Sequence, residues 1–173
     1  TRFGMAGLLP HHKLSLDEKL NPLIDGNPTD STQNREKTLQ SENPGNVAIT
    51  YKQLLSMKQA EQRERISNAK VVYIYHNCID AIGEENVTED QVFAACEQAI
   101  NELCNLVKLI CNGLNGTNIL ITADHGFIYS YKNLKESDKA DKDLINGEIL
   151  ELDRRYAIAD GSSDANYLIK IPL

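Results

Sequence analysis

Between Lys70 and Ala123 the hydrophobic pattern switches from strand to helix and back, and this restricts the fold more than any other stretch. The run Lys70-Val71-Val72-Tyr73-Ile74-Tyr75-His76-Asn77 is rich in β-branched and aromatic residues and reads as a strand. After a loop through Gly83, Thr88 and Gln91 have the spacing of a capping box. Val92, Cys96, Ala99, Leu103, Val107, Ile110 and Leu114 then recur at helical intervals, with Gly113 near the end. A helix of about 25 residues measures roughly 37 Å at the standard rise per residue. Asn118-Ile119-Leu120-Ile121-Thr122-Ala123 follows as a short apolar run bounded by polar and glycine residues, the pattern of a buried parallel strand. Strand, long helix and strand predict a right-handed βαβ crossover within an α/β fold, a mostly parallel sheet flanked by helices.

That topology has a chemical consequence. Residues that follow parallel strands emerge on one carboxyl edge of the sheet. Asp80 and Glu84 from one loop then share a rim with Asp124 and His125 from the other. Three carboxylates and an imidazole gathered in one place repel one another unless cations sit among them. Oxygen and imidazole ligands in this mixture suit zinc or manganese. Taken alone, Asp124-His125-Gly126 is also what an ordinary turn looks like, with aspartate capping and glycine supplying positive φ.

At 173 residues the chain fits one domain, 1–173, interrupted by a polar excursion at about 25–46. Its 41% apolar and 25% charged composition is that of a soluble globular protein. No apolar stretch approaches the roughly 18 residues of a membrane span, and the start lacks a signal-peptide pattern, so a cytoplasmic protein is expected. The formal net charge of −7 gives no electrostatic case for nucleic acid or an anionic membrane. A phosphate substrate remains compatible with it, because bound divalent cations can supply the positive field. Cys78, Cys96, Cys104 and Cys111 form no C-x-x-C pair and are expected as reduced core residues.

Elsewhere the signals are weaker. A short helix is expected over 1–9, a connecting segment with marginal structure over 11–24, and a turn at Asp25-Gly26-Asn27-Pro28. Residues 30–46 predict at most one or two helical turns in a solvated excursion. Val47-Ala48-Ile49 reads as a short strand, after which Thr50 caps a helix through Ile66. Strand signals over 144–152, 156–159 and 167–171 predict an edge hairpin or sheet addition. Arg154-Arg155 and His11-His12 read as surface, and His76 as a residue packed at the sheet edge or supporting a ligand.

Ile121-Thr122-Ala123-Asp124-His125-Gly126 and Asp80-Ala81-Ile82-Gly83-Glu84 resemble the alkaline phosphatase superfamily. Thr1-Arg2-Phe3-Gly4-Met5-Ala6-Gly7-Leu8-Leu9-Pro10, Leu23-Ile24-Asp25-Gly26 with Asn34-Arg35, and Tyr75-His76-Asn77-Cys78-Ile79-Asp80 look like its PglZ domain, which occurs in bacterial phage-exclusion (BREX) systems. The resemblance implies two divalent metal ions, with Asp124 and His125 on one and Asp80 on the other. Glu84 stands where many relatives carry a histidine, and the harder ligand shifts preference toward manganese or magnesium. Thr1 aligns with the nucleophile, which would attack phosphorus in a phosphate ester; a plain helix cap is the alternative for the same residue. The partners implied are a phosphate-ester substrate and other subunits of a phage-exclusion complex. Two departures from the pattern point to an incomplete, excised piece of a longer chain: the strand bearing a further metal-binding aspartate would precede Thr1, and no histidine follows His125. A catalytically inactive scaffold module is therefore the rival expectation.

Overall fold

The computed structural model describes residues 1–83, 91–126, 135, 145, 147–153 and 156–161. Helix α1 (Arg2–Gly7) is capped by Thr1, whose Oγ1 accepts the Gly4 N–H at 3.0 Å. Strands β1 (Leu14–Leu16), β2 (Pro22–Ile24) and β3 (Asn27–Pro28) form an antiparallel sheet in that order, with Leu14 opposite Ile24 and Ile24 opposite Asn27. The segment expected to be a marginal connector is thus a folded meander. The cause is the Asp25-Gly26 pair, which takes φ of +48° and +82° and closes a two-residue hairpin matched to strand twist. The Asp25 carboxylate also accepts the His12 and Lys13 N–H groups, which hold it below the ordinary aspartate range.

The polar excursion is likewise more ordered than its composition predicts. It contains α2 (Thr32–Glu42), an 11-residue helix started by Ser31, whose hydroxyl accepts the Asn34 N–H, and anchored by buried Thr38 and Leu39. One buried leucine and a cap suffice where no apolar stripe is visible. Strand β4 (Val47–Thr50) pairs in parallel with β5 (Val72–Tyr75), in register from Val47 opposite Val72 to Thr50 opposite Tyr75. The crossover between them is two helices, α3 (Tyr51–Ser56) and α4 (Gln59–Ile66), where one was expected. The break falls at Met57 and Lys58, both extended; Glu61 accepts the Lys58 N–H at 2.7 Å and restarts the helix. Buried Gln62 donates to the Leu54 carbonyl at 2.9 Å and ties α4 to α3.

The two faces of the β4–β5 pair carry separate cores, as the period of two requires. Ala48, Tyr73 and Tyr75 pack toward Ala6, Leu9, Ile24 and Leu39. Val47, Ile49, Val72 and Ile74 pack toward Leu54 and Leu106. Each fully buried aliphatic side chain contributes about 1.5–3 kcal/mol, so α1, α2 and α6 are held chiefly by these two layers.

Asp80 sits in α5 (Cys78–Gly83), which packs against α6 (Val92–Gly113). The long helix is present, but its buried line runs through Val92, Ala95, Ala99, Leu106 and Gly113, rotated from the expected one. Cys104 and Cys111 are consequently exposed and Cys78 and Cys96 half-buried, so the cysteines are free without being core residues. A larger correction concerns 118–123. This run forms no ladder with a described strand, and Leu120 is 88% and Ile121 59% exposed. Composition identified an extended segment; strand pairing depends on a neighbour, and none of the described strands supplies one. The described strands therefore give one parallel pair and two small antiparallel sheets, with no mostly parallel sheet.

The second of those antiparallel sheets pairs β6 (Glu148–Leu152) with β7 (Ala157–Asp160), agreeing with the expected edge hairpin. Glu84, Thr88, Arg154, Arg155, the strand over 167–171 and nearly all of the charged loop at 132–142 lie outside the described residues. Among the described residues no helix is long and apolar enough to cross a membrane.

Candidate metal centre

Although 118–123 pairs with none of the described strands, it still delivers Asp124 and His125 to Asp80. One ligand atom from each of Asp80, Asp124 and His125 lies within 4.8 Å of the other two. His125 Nε2 stands 3.3 Å from Asp80 Oδ2 and 3.7 Å from Asp124 Oδ2. The side chains are 34%, 17% and 15% exposed for Asp80, Asp124 and His125, so water screens this cluster only in part.

The histidine fixes what the cluster can hold. Its Nδ1 lies 3.2 Å from the Gly126 carbonyl oxygen, which can only accept, so Nδ1 carries the proton in that bond. Nε2 is buried, and apart from the two carboxylates beside it finds no partner among the described residues. In neutral histidine its lone pair then faces two carboxylates, an arrangement stabilised by a cation among the three ligands. Two oxygen ligands and one imidazole fit zinc or manganese by donor type.

Helix α1 closes one side of this cluster. The backbone nitrogen of Thr1 lies in hydrogen-bonding contact with Asp124 Oδ2, which brings Thr1 to the same carboxylate that would ligate a cation. Its hydroxyl caps the helix, as the cap reading of Thr1 expects. Gly4 packs against the Asp124 backbone so closely that a Cβ would collide with the Asp124 carbonyl and lie 2.9 Å from the Asp124 Cβ. Sequence reasoning missed Gly4, for which the only signal is a glycine inside a helical pattern. Arg2 bonds Asn21 at 3.1 Å and pairs with Glu151, and Phe3 meets Tyr156 edge to face at 4.9 Å, so α1 is fixed to both antiparallel sheets.

His76 takes no direct part. Its Nε2 lies 2.6 Å from Glu102 Oε2, and its ring meets Tyr51 edge to face at 5.0 Å, tying the end of β5 to α6. His11 and His12 are exposed, as expected. The structure thus brings together Thr1, Asp80, Asp124 and His125, and Glu84 falls outside the described residues.

Comparison with known proteins agrees with the sequence pattern. The family model described as the BREX system PglZ alkaline phosphatase-like domain matches residues 1–171. The chain is 40% identical over 163 residues to the alkaline phosphatase-like protein PglZ of Bacillus cereus (strain H3081.97), covering 94% of this chain and 19% of that protein. It is 39% identical over 160 residues to the alkaline phosphatase-like protein BrxZ of Escherichia coli O9:H4 (strain HS), covering 91% of this chain and 18% of that protein. The chain therefore spans about a fifth of the length of these curated relatives. No solved structure matches it.

Proposed function

Because this chain belongs to the PglZ family of alkaline phosphatase-like domains found in BREX phage-defence proteins, we propose that it forms the metal-binding part of a phosphoric ester hydrolase. The observation that carries this reading is the convergence of Asp80, Asp124 and the buried His125 Nε2 within 4.8 Å. Asp124 and His125 would hold one divalent cation, with zinc or manganese fitting those donors, and Asp80 with Glu84 would hold a second, where manganese or magnesium fits the oxygen ligands. Such cations supply Lewis acidity toward phosphoryl oxygens and lower the pKa of a hydroxyl beside them.

Thr1 is the nucleophile. Its Oγ1 accepts the Gly4 N–H at 3.0 Å, which fixes the oxygen while leaving its own proton and a second lone pair available. Attack forms an Oγ–P bond and breaks the ester P–O bond; the hydroxyl proton passes to solvent and the alkoxide departs. Water then hydrolyses the phosphothreonine. Gly4 allows Thr1 and Asp124 to approach, and Arg2 and Phe3 hold the helix that presents them. The bond cleaved belongs to a phosphomonoester or phosphodiester, and the parent acts in the cytoplasm with other subunits of the defence complex.

One observation favours a second reading, an inactive scaffold: the Thr1 hydroxyl already serves as the cap of α1. The full-length protein, assayed with 4-nitrophenyl phosphate and bis(4-nitrophenyl) phosphate under manganese, zinc and magnesium, separates the two. Hydrolase activity predicts metal-dependent turnover abolished by Asp124→Asn and Thr1→Val. Equal rates in those variants, or no turnover and no bound metal, leave the scaffold.

A further inference from the structure

Helix α6 carries two apolar lines, of which the fold buries one. Val92, Ala95, Ala99, Leu106 and Gly113 face inward. Leu106 packs with Val47, Ile49 and Leu54, and Arg63 ties the end of the helix by donating to the Gly113 carbonyl at 2.7 Å. The second line runs along the outside through Phe93, Ile100, Cys104 and Cys111. Phe93 is 53% and Ile100 61% exposed, and both cysteines are exposed. Together with Glu97 and half-buried Val107, these positions recur at alternating intervals of four and three residues, the spacing of a helix–helix seam. The seam follows nearly the whole of a helix about 33 Å long.

This outer line is complementary to itself when reversed. Turned end for end about its midpoint at residue 102, it sets large residues against small ones: Phe93 opposite Cys111 of a second copy, and Ile100 opposite Cys104. Sulfur beside an aromatic ring edge is a favourable contact in its own right. Charge obeys the same reversal. Glu97 and Lys108 are both exposed and stand eleven residues apart, about three turns, so they share one flank of the line. A two-fold axis across antiparallel helices brings like flanks together. Glu97 of one copy then lies beside Lys108 of the other, and the pair repeats at the far end of the seam.

We propose that the outer face of α6 is a homodimer interface, in which two copies of this protein pair their α6 helices antiparallel. The competing occupant is another segment of the parent chain. Reversal symmetry in both size and charge favours the second copy, because an isologous interface requires it and a segment of unrelated sequence does not. The interface stands apart from the hydrolase reading, since none of its residues belongs to the cluster of Asp80, Asp124 and His125.

The test is sedimentation equilibrium of the full-length protein as wild type, Ile100→Asp, Glu97→Lys, Lys108→Glu and the double exchange of Glu97→Lys with Lys108→Glu, each first shown to be folded by circular dichroism. Wild type is expected to be dimeric in the micromolar range. Ile100→Asp removes two buried side chains per dimer and should raise the dissociation constant at least about 100-fold. Either single reversal of charge should raise it about tenfold at low ionic strength, and the double exchange should restore it, because the pair is remade with its signs swapped. A monomeric wild type, a dimer indifferent to Ile100→Asp, or single reversals that the double exchange fails to rescue overturns the proposal. A wild-type monomer that Ile100→Asp destabilises overturns it too, and assigns the face to another segment of the parent chain.

Discussion

Gly4 and Asp124 touch backbone to side-chain space: a methyl group on Gly4 would collide with the Asp124 carbonyl. One missing Cβ thereby sets the distance between α1 and the ligand-bearing segment. Gly4→Ala is expected to destabilise the chain by about 1–3 kcal/mol through overpacking, despite alanine's better helix propensity. It should also weaken metal binding. Denaturant unfolding of the metal-free chain, paired with manganese titration, checks both halves; an alanine variant as stable as wild type would show that the two segments part freely.

Metal binding should register as stability. A ligand that binds only the folded state at a hundredfold excess over its Kd stabilises by about 2.7 kcal/mol. For a chain of this size that corresponds to a rise in Tm of about 5–10 °C. Wild type should show such a rise with manganese or zinc, reversed by EDTA. Asp80→Asn should show a small part of it, measured by differential scanning fluorimetry at fixed metal concentration.

Glu102 gives a pH-dependent contact far from the site. The Gln98 side-chain amide and then His76 hold its carboxyl below the usual glutamate value of 4.5. A group depressed on folding contributes stability that is present above the unfolded value and is lost as pH falls through the folded value. The Tm of wild type should therefore exceed that of Glu102→Gln above about pH 5, and the gap should close on acidification below 4.5. Partial exposure keeps the gap small. A gap that widens toward acid would reverse the assigned sign.

The local signals in the sequence were legible where they act locally. Thr50 as a cap is an instance: its hydroxyl accepts the Gln53 N–H and the Gln53 side chain returns to the Thr50 N–H, a complete box. Val47–Thr50 and Val72–Tyr75 were legible because a buried strand must be apolar on both faces. Leu39 shows the opposite case, a single buried residue that anchors α2 without any periodic stripe around it. Asn118 to Ala123 shows a third, in which composition identifies an extended apolar segment but pairing is decided by a neighbouring strand. Asp80, Asp124 and His125 lie together, although the parallel-sheet topology that groups them in the sequence is not seen among the described strands. Gly4 was hidden because the collision it avoids involves a residue 120 positions away.

Thr50→Ala separates stability from the site. Losing the cap should cost about 1 kcal/mol of unfolding free energy and leave metal affinity unchanged, since the Thr50 hydroxyl is engaged by Gln53 at the start of α3. Urea unfolding and manganese titration on the same preparation provide the comparison. A parallel fall in affinity would mean that α3 and the cluster are coupled.

The central claim is that Asp80, Asp124 and His125 form one centre for divalent cations. Calorimetric titration of manganese and zinc into wild type, Asp124→Asn and His125→Ala, each first shown to be folded by circular dichroism, tests it most directly. The account predicts saturable binding to wild type, weakened at least about tenfold in each variant, as expected when one of three ligands is lost. Binding that is absent from wild type, or equally tight in the folded variants, would contradict it.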